Sequence, residues 1–258
     1  MKLGIVIPLK SKQISRDWKI TSDTLQQSLE SLKNQTLQNF EVMVVGHECP
    51  TFLQTSFGEN IHFTAVDFAV PNRSAADFSH QKLIQDKNMK IVTGLKALQN
   101  NNISYWYQLD SDDVLRSDFI EKIAVVEGQS GAVIEGGYLI YSEQKRYIET
   151  KQMSQYCGST SIIANDYMTI PPNVSPDSIK TVPWARYSHR NIKQFFSKEL
   201  KQPVTLINDN ILGYVLGSGD NISDRWRDSP IKALKAYLKP YIKGSKITKQ
   251  FSKEFALK

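Results

Sequence analysis

The sequence has little cysteine and no long apolar run. Its two cysteines among 258 residues, Cys49 and Cys157, cannot form a disulfide framework, and neither lies in a CxxC spacing suited to a metal. The first apolar run, residues 3–9, is too short for a signal peptide or a membrane span, and charge follows it directly. These absences predict a cytoplasmic protein in a reducing compartment.

Acidic residues are scarce at the carboxyl-terminal end. Residues 229–258 hold eight lysines and one glutamate, a net charge of +7 in a chain whose total is +6, so residues 1–228 carry −1. The segment has no arginine and no recognisable nucleic-acid-binding module. We therefore expect no nucleic-acid partner.

The same segment has the pattern of a basic amphipathic helix. Its apolar residues recur every three to four positions with lysines between them: Ile231, Leu234, Leu238, Tyr241 and Ile242. Such a helix binds an anionic membrane surface, which would make the protein peripheral on the inner membrane face. A helix packed on the body with a solvated lysine face has the same pattern. Pro240 interrupts it, so one helix and two short pieces both fit.

Short apolar runs and amphipathic stretches alternate through the first 109 residues. They predict strands at 2–9, 40–45, 61–66 and 103–109, and helices at 21–35 and 81–100. Ser22 or Asp23 is the expected cap of the first helix, and Ile84 is expected to face inward from the second. This order predicts an α/β fold with a doubly wound, mainly parallel mixed sheet and helices on both faces. Beyond it, residues 119–126 predict a helix capped by Ser117 or Asp118, and residues 132–141 and 146–150 predict a hairpin.

Three carboxylates follow the fourth predicted strand, at Asp110, Asp112 and Asp113. In open α/β sheets, ligands bind beyond the carboxyl ends of the strands. Three adjacent carboxylates repel one another unless a cation or hydrogen-bond donors neutralise them, and Mg²⁺ or Mn²⁺ suits all-oxygen ligands. Alternatively, Asp112 or Asp113 caps a short turn without a metal.

Four segments, in this order, resemble the GT-A-fold glycosyltransferases, particularly the family-2-type group of inverting nucleotide-sugar enzymes. They are GIVIPLK, SLESLKNQTLQNFEVMVV, LDSDDVLRSDFIEKI, which looks like the family's DXD segment, and YVLGSGDNIS. The resemblance implies a GT-A-like, Rossmann-like domain over residues 1–228, followed by a basic tail at 229–258. It also implies a UDP- or GDP-type sugar donor and a Mn²⁺ or Mg²⁺ ion.

The resemblance implies roles for residues at the matching positions. The residues expected to bind the donor nucleotide are Pro8, Lys10, Glu48, Asp67, Lys90 and Asp110, with Lys87 as the alternative to Lys90. The expected metal ligands are Asp110, Asp112 and Asp113. The expected acceptor-binding residues are Gly158, Ser159 and Trp184.

The general base departs from the family pattern, in which an aspartate takes the proton of the acceptor hydroxyl. His189 stands near the matching position, and histidine titrates near neutral pH. Asp166 and Asp209 are the alternatives. Two further departures are His47 and Glu48 in place of the acid pair after the second strand, and Gly217 in place of a histidine near the metal.

The expected function is transfer of a sugar, with inversion, to a hydroxyl of a sugar or lipid-linked acceptor, as in polysaccharide biosynthesis. The alternative is a non-catalytic protein that binds a nucleotide sugar or carbohydrate on the same fold. A nucleotidyltransferase is less favoured, because residues 8–18 after the first strand contain no glycine for a phosphate-binding loop.

Overall fold

The computed structural model describes residues 1–55, 57–217 and 230–257, with the backbone alone at 230–233 and 236. The strands are β1 Leu3–Pro8, β2 Phe40–Gly46, β3 Ile61–Ala65, β4 Tyr105–Gln108, β5 Asp113–Leu115, β6 Gly131–Ile134, β7 Gly137–Tyr141, β8 Arg146–Thr150, β9 Ser161–Ala164, β10 Thr205–Ile207, β11 Leu212–Leu216 and β12 Ser245–Lys246. The helices are α1 Trp18–Lys33, α2 His80–Leu98, α3 Phe119–Lys122, α4 Pro183–Arg186, α5 Pro230–Lys243 and α6 Lys249–Glu254.

Seven strands form the central sheet in the order β10-β6-β9-β4-β1-β2-β3. Strands β1 to β4 run parallel to one another. Strand β9 runs antiparallel to both β4 and β6, and β10 is parallel to β6. Six of these seven strands therefore point the same way, and their carboxyl ends meet at one edge.

Helices cover both faces of this sheet because side chains alternate along each strand. Ile5 and Ile7 of β1 are buried in one cluster with Leu25 and Leu29 of α1. Val6, between them, is buried on the other face in a cluster with residues of α2. The α/β fold class with a doubly wound, mainly parallel mixed sheet is confirmed.

The first helix begins three residues earlier than expected. The side chain of Asp17 accepts hydrogen bonds from the backbone N–H of Lys19 at 2.7 Å and of Ile20 at 3.2 Å, so Asp17 is the cap. The prediction of a cap at Ser22 or Asp23 was wrong, since both lie inside the helix. Ile84 was also placed wrongly, because its side chain is exposed on α2.

Two further predictions need correction between residues 117 and 150. Asp118 pairs with Arg116 and makes no side-chain cap bond, and the predicted helix 119–126 is α3 followed by a 3-10 turn. The hairpin is confirmed for β7 and β8, which pair antiparallel. Residues 132–134 do not belong to it, because they form β6 in the central sheet between β9 and β10.

A second sheet, in the order β12-β8-β7-β11-β5, carries the end of the described chain. Phe251 and Phe255, in and just after α6, are buried with Val114, Ile140 and Val215, so residues 245–257 pack on the body. Helix α5 is a single helix with Pro240 inside it. The predicted boundary at 228–229 lies outside the described residues and stays a prediction. Among the described helices, none has the length and apolarity to cross a membrane.

Candidate active site

The acidic turn, residues 110–113, begins where β4 ends, at the carboxyl edge of the central sheet. The backbone N–H of Asp113 donates to the carbonyl of Asp110 at 3.1 Å and closes the turn. The backbone N–H of Asp110 donates to the hydroxyl of Ser159 at 2.8 Å. The turn is therefore fixed both by its own backbone and by the segment that precedes β9.

Lys87 of α2 neutralises the first carboxylate of the turn. Its Nζ lies 2.6 Å from Oδ1 of Asp110, and Nε2 of Gln108 donates to the same oxygen at 3.0 Å. Burial would raise the pKa of Asp110, but the ammonium and these hydrogen bonds hold it below its ordinary value. Asp110 is therefore ionised in the fold, with a lysine beside it.

The second carboxylate of the turn, Asp112, has its pKa shifted in the opposite direction. Burial, and next the negative charge of Asp110, raise the pKa of Asp112 to about 6, against the opposing charges of Lys10 and Lys87. Lys10 comes from the loop after β1. A further positive charge near Asp112 would stabilise its ionised form.

The side chains of Asp113 and Ser159 lie inside the protein, next to the backbone of the acidic turn. Both are fully buried, and the Ser159 hydroxyl donates to Oδ2 of Asp113 at 2.5 Å. Oδ1 of Asp113 is buried with no partner among the described residues. Burial, followed by the charges of Asp112 and Asp110, raises the pKa of Asp113 well above its ordinary value. The roles of Asp113 as a metal ligand and of Ser159 as an acceptor contact stay predictions, although both side chains are buried.

The acidic turn fits a divalent cation only in part. Within residues 1–55, 57–217 and 230–257, no three Asp, Glu, His or Cys side chains lie together in position to hold a metal ion. Asp110 and Asp112 are partly exposed, close enough for mutual repulsion, and offer the carboxylate oxygens that Mg²⁺ or Mn²⁺ prefers. These two residues fit such an ion as ligands, whereas Asp113 is fully buried and already accepts a hydrogen bond from Ser159 through Oδ2.

Gly158 lies directly against the charged pair. A Cβ atom at this position would stand 2.9 Å from Oδ2 of Asp110 and 3.4 Å from Nζ of Lys87. Only a residue without a side chain leaves this carboxylate undisturbed. The structure thus brings Gly158 to the acidic turn, and its expected contact with the acceptor stays a prediction.

His189 faces the same cluster, and its ring is held in one tautomer. Nδ1 lies 2.7 Å from the carbonyl oxygen of Ser154, which can only accept, so Nδ1 carries the hydrogen and Nε2 is an acceptor. The positive form of His189 is among the charges that lower the pKa of Asp110, so the ring is electrostatically coupled to the turn.

Glu135 positions the backbone that holds His189, and the sequence interpretation missed it. It follows β6 at the carboxyl edge, is buried, and accepts from the N–H of Ser154 at 3.2 Å and from its hydroxyl at 2.9 Å. Lys193 forms an ion pair with it. An acid directly after a buried parallel strand was the available signal, but 132–141 had been interpreted as one arm of a hairpin.

A second polar group lies nearby, around Lys90. Its Nζ pairs with Oδ2 of Asp86 at 2.7 Å, and burial lowers the pKa of this lysine, which is 1% exposed. Glu48 accepts from the backbone N–H of Lys12 at 2.9 Å and opposes that pKa shift through its charge. Lys90 therefore pairs inside its own helix, and the alternative, Lys87, is the lysine that contacts the acidic turn.

The remaining predicted residues are spread around the sheet. Pro8 is buried in β1 opposite Val45, and Asp67 is exposed beyond β3. Asp209 is half-exposed and lies 3.4 Å from Nζ of Lys122. Trp184 is half-buried, and its indole N–H donates to the Ser161 hydroxyl at 2.7 Å, at the start of β9.

Asp166 lies at the opposite edge of the sheet. It follows β9, whose last residue, Ala164, pairs with Tyr105 at the beginning of β4. The acidic turn follows the other end of β4. Asp166 is therefore corrected as a general-base candidate, because the width of the sheet separates it from the cluster.

No protein-family model and no curated protein matches the chain. Among solved structures, S. aureus TarS aligns over 91% of this chain with 13% identity and a TM-score of 0.48. The chain spans 39% of TarS. A protein from Desulfovibrio desulfuricans G20, described as a nucleotide-diphospho-sugar transferase, aligns over 97% of this chain and 99% of its own, with 10% identity and a TM-score of 0.42. At these scores neither likeness bears on activity, and the fold class rests on the strand order above.

Proposed function

We propose that this chain is a GT-A-like glycosyltransferase of the family-2 type, which transfers a sugar from a nucleotide-diphosphate donor to an acceptor hydroxyl with inversion. The observation that carries the proposal is the grouping of Lys87, Asp110, Asp112, Gly158 and His189 at the carboxyl edge of the sheet. This edge is where open α/β sheets bind ligands. The group combines cations for a diphosphate, carboxylates and a histidine with an accepting nitrogen.

Lys10 and Lys87 supply the positive charge for the diphosphate of the donor. They reach the acidic turn from two sides, the loop after β1 and helix α2, and both act electrostatically on Asp112. Asp110 and Asp112 would hold Mg²⁺ or Mn²⁺, and such an ion supplies positive charge to the departing diphosphate. Gly158 lets the Asp110 carboxylate and the Lys87 ammonium pack directly against the backbone, because a Cβ at this position would crowd both.

His189 is the proposed general base. Because Nδ1 donates to the Ser154 carbonyl, Nε2 is free of its own hydrogen and can take the proton of the acceptor hydroxyl. The hydroxyl oxygen forms a bond to the anomeric carbon as the bond from that carbon to the diphosphate oxygen breaks. The electron pair leaves with the nucleoside diphosphate, and the proton remains on His189.

Titration calorimetry of UDP and of GDP, with and without Mn²⁺, tests the donor site. We expect one nucleotide to bind, and Asp112→Asn to weaken its Mn²⁺-dependent binding by about tenfold or more. Asp166→Asn is the matched control, since it makes the same change on an exposed aspartate at the opposite edge. Nucleotide binding that is unchanged in Asp112→Asn would overturn the proposed donor site. The absence of binding by both nucleotides would overturn it as well.

A donor-hydrolysis or transfer assay with His189→Gln tests the base. We expect turnover to fall about 100-fold or more while nucleotide binding is retained. His62→Gln is the control, because His62 is an exposed histidine on β3 that pairs with Glu41. Unchanged turnover would remove His189 from this role and leave Asp209 as the alternative. Nucleotide binding without turnover in the unmodified chain would favour a non-catalytic nucleotide-sugar-binding protein.

A further inference from the structure

Helix α5 exposes an unusual amount of apolar surface. Twelve large apolar side chains are exposed among the described residues, and five of them belong to this single helix. They are Leu234, Tyr237, Leu238, Tyr241 and Ile242. Ile242 is 77% exposed, the highest value of the twelve. Contiguous exposed apolar surface of this kind marks a contact site.

These five side chains share one face of the helix and are exposed, although Arg146 of β8 lies over the ring of Tyr241, 5.1 Å from its centroid. At about 100° per residue they lie within an arc of about 140°, whereas Pro240 lies about 130° from the middle of that arc. Among the residues of α5 whose side chains the structure describes, Pro240 is the one that is buried. The end of α5 is fastened to the second sheet, because Arg146 donates to the carbonyl of Gly244 at 2.9 Å and β12 pairs with β8. The apolar face is therefore presented outward in a fixed orientation.

Positive charge borders the apolar face. At about 100° per residue, Lys235 lies about 90° from the middle of the apolar arc and borders it, whereas Lys239 and Lys243 lie about 130° and about 170° from the middle, on the polar side. Helix α5 contains no acidic residue. Lysine stems can lie along apolar surface while their ammonium groups reach an anionic layer, and tyrosine rings suit the same boundary. A second copy of this helix would carry the same positive charge, with no acidic residue in α5 to offset it.

We propose that α5 lies in the plane of an anionic lipid bilayer surface. Its apolar face enters the boundary between headgroups and acyl chains, Lys235 at the edge of that face contacts lipid phosphates, and the lysines on the polar side add long-range attraction to the anionic surface. The carboxyl-terminal segment then acts as a reversible membrane anchor for the body of the protein. This proposal does not rest on the proposed activity, because the binding is measured without nucleotide.

Co-sedimentation of the full chain with vesicles tests the anchor. The vesicles are pure phosphatidylcholine, or phosphatidylcholine with phosphatidylglycerol, at low and high ionic strength. We expect binding to the anionic vesicles that weakens with salt, since screening shortens the reach of charges from about 10 Å at 0.1 M to about 3 Å at 1 M. Lys235→Gln combined with Lys243→Gln should weaken anionic binding and reduce its salt dependence.

The sharpest variant is Ile242→Glu, which should weaken binding to anionic vesicles by about tenfold or more. Val125→Glu is its matched control, because Val125 is 61% exposed on the body and the change in charge is the same. Both substitutions are at exposed positions, and far-ultraviolet circular dichroism should confirm that both variants fold. Equal loss in the two variants, or no binding to anionic vesicles, would overturn the proposal. A lipid-independent dimer abolished by Ile242→Glu would overturn it too and assign the face to a second copy.

Discussion

Replacing Asp112 with asparagine should stabilise the metal-free protein at neutral pH. Burial and the charge of Asp110 raise the pKa of Asp112 from 3.8 to about 6, a change of about two units. Each unit corresponds to about 1.4 kcal/mol, so ionising this carboxyl inside the fold costs on the order of 3 kcal/mol. Asparagine has nearly the same shape and carries no charge, so Asp112→Asn removes that cost.

The sign of the effect depends on pH. Between about pH 4 and about pH 6 the folded protein keeps the Asp112 proton while the unfolded chain has lost it, so the unmodified protein loses stability as the pH rises. Above about pH 6 the loss is complete. The advantage of Asp112→Asn should therefore be small at about pH 4 and reach its full value at neutral pH.

Urea unfolding at several pH values, in buffers that contain a chelator, measures this difference. Asp166→Asn serves as the control, because its aspartate is exposed at the far edge of the sheet. We expect the difference in unfolding free energy between Asp112→Asn and the unmodified protein to grow by about 1–3 kcal/mol from acid to neutral pH. A difference that stays constant, or that shrinks as the pH rises, would refute the electrostatic reasoning.

Two further substitutions test the packing around the sheet and the turn. A change from glycine to alanine usually stabilises a helix at an exposed position. In Gly94→Ala, however, the new Cβ would lie 2.4 Å from Cγ1 of Val6. We expect a loss of about 1–3 kcal/mol in urea unfolding, and partial recovery when Val6→Ala is added. Ser159→Ala removes the hydroxyl that donates to Asp113 and accepts from the N–H of Asp110. We expect it to lower the free energy of unfolding by about 2–3 kcal/mol in the same measurement. Unchanged stability would argue against a stabilising role for these two hydrogen bonds.

The succession of strands and helices along the first 109 residues was predictable, because each strand there is a short apolar run between polar segments. Strands β1 and β2 are buried on both faces, so each has apolar residues at nearly every position. The position of the acidic turn at the carboxyl edge followed from this order alone. The breaks were less informative later in the chain, where only residues 135 and 136 separate the apolar runs 132–134 and 137–141, which belong to different sheets.

Side-chain partners within the site were harder to predict than its location. Lys87 and Lys90 lie one turn apart on α2, and spacing along a helix does not say which of them reaches a neighbouring loop. The difference comes from Asp86, which lies four residues before Lys90 on the same helix and forms an ion pair with it. Lys87 has no such partner at that spacing and extends to Asp110 instead.

The antiparallel direction of β9 determines which residues lie beside the acidic turn and which lie at the opposite edge of the sheet. A strand parallel to β4 would deliver the residues after it to the acidic turn, whereas antiparallel β9 delivers the residues before it. Gly158 and Ser159 therefore meet the turn, and Asp166 is carried to the opposite edge. A helix joins β1 to β2 and another joins β3 to β4, and such crossovers favour parallel strands, whereas β9 pairs with strands on both sides that it could meet in either direction. The direction of β9 is a property of the assembled sheet, so the neighbours of the acidic turn become known only with the complete topology.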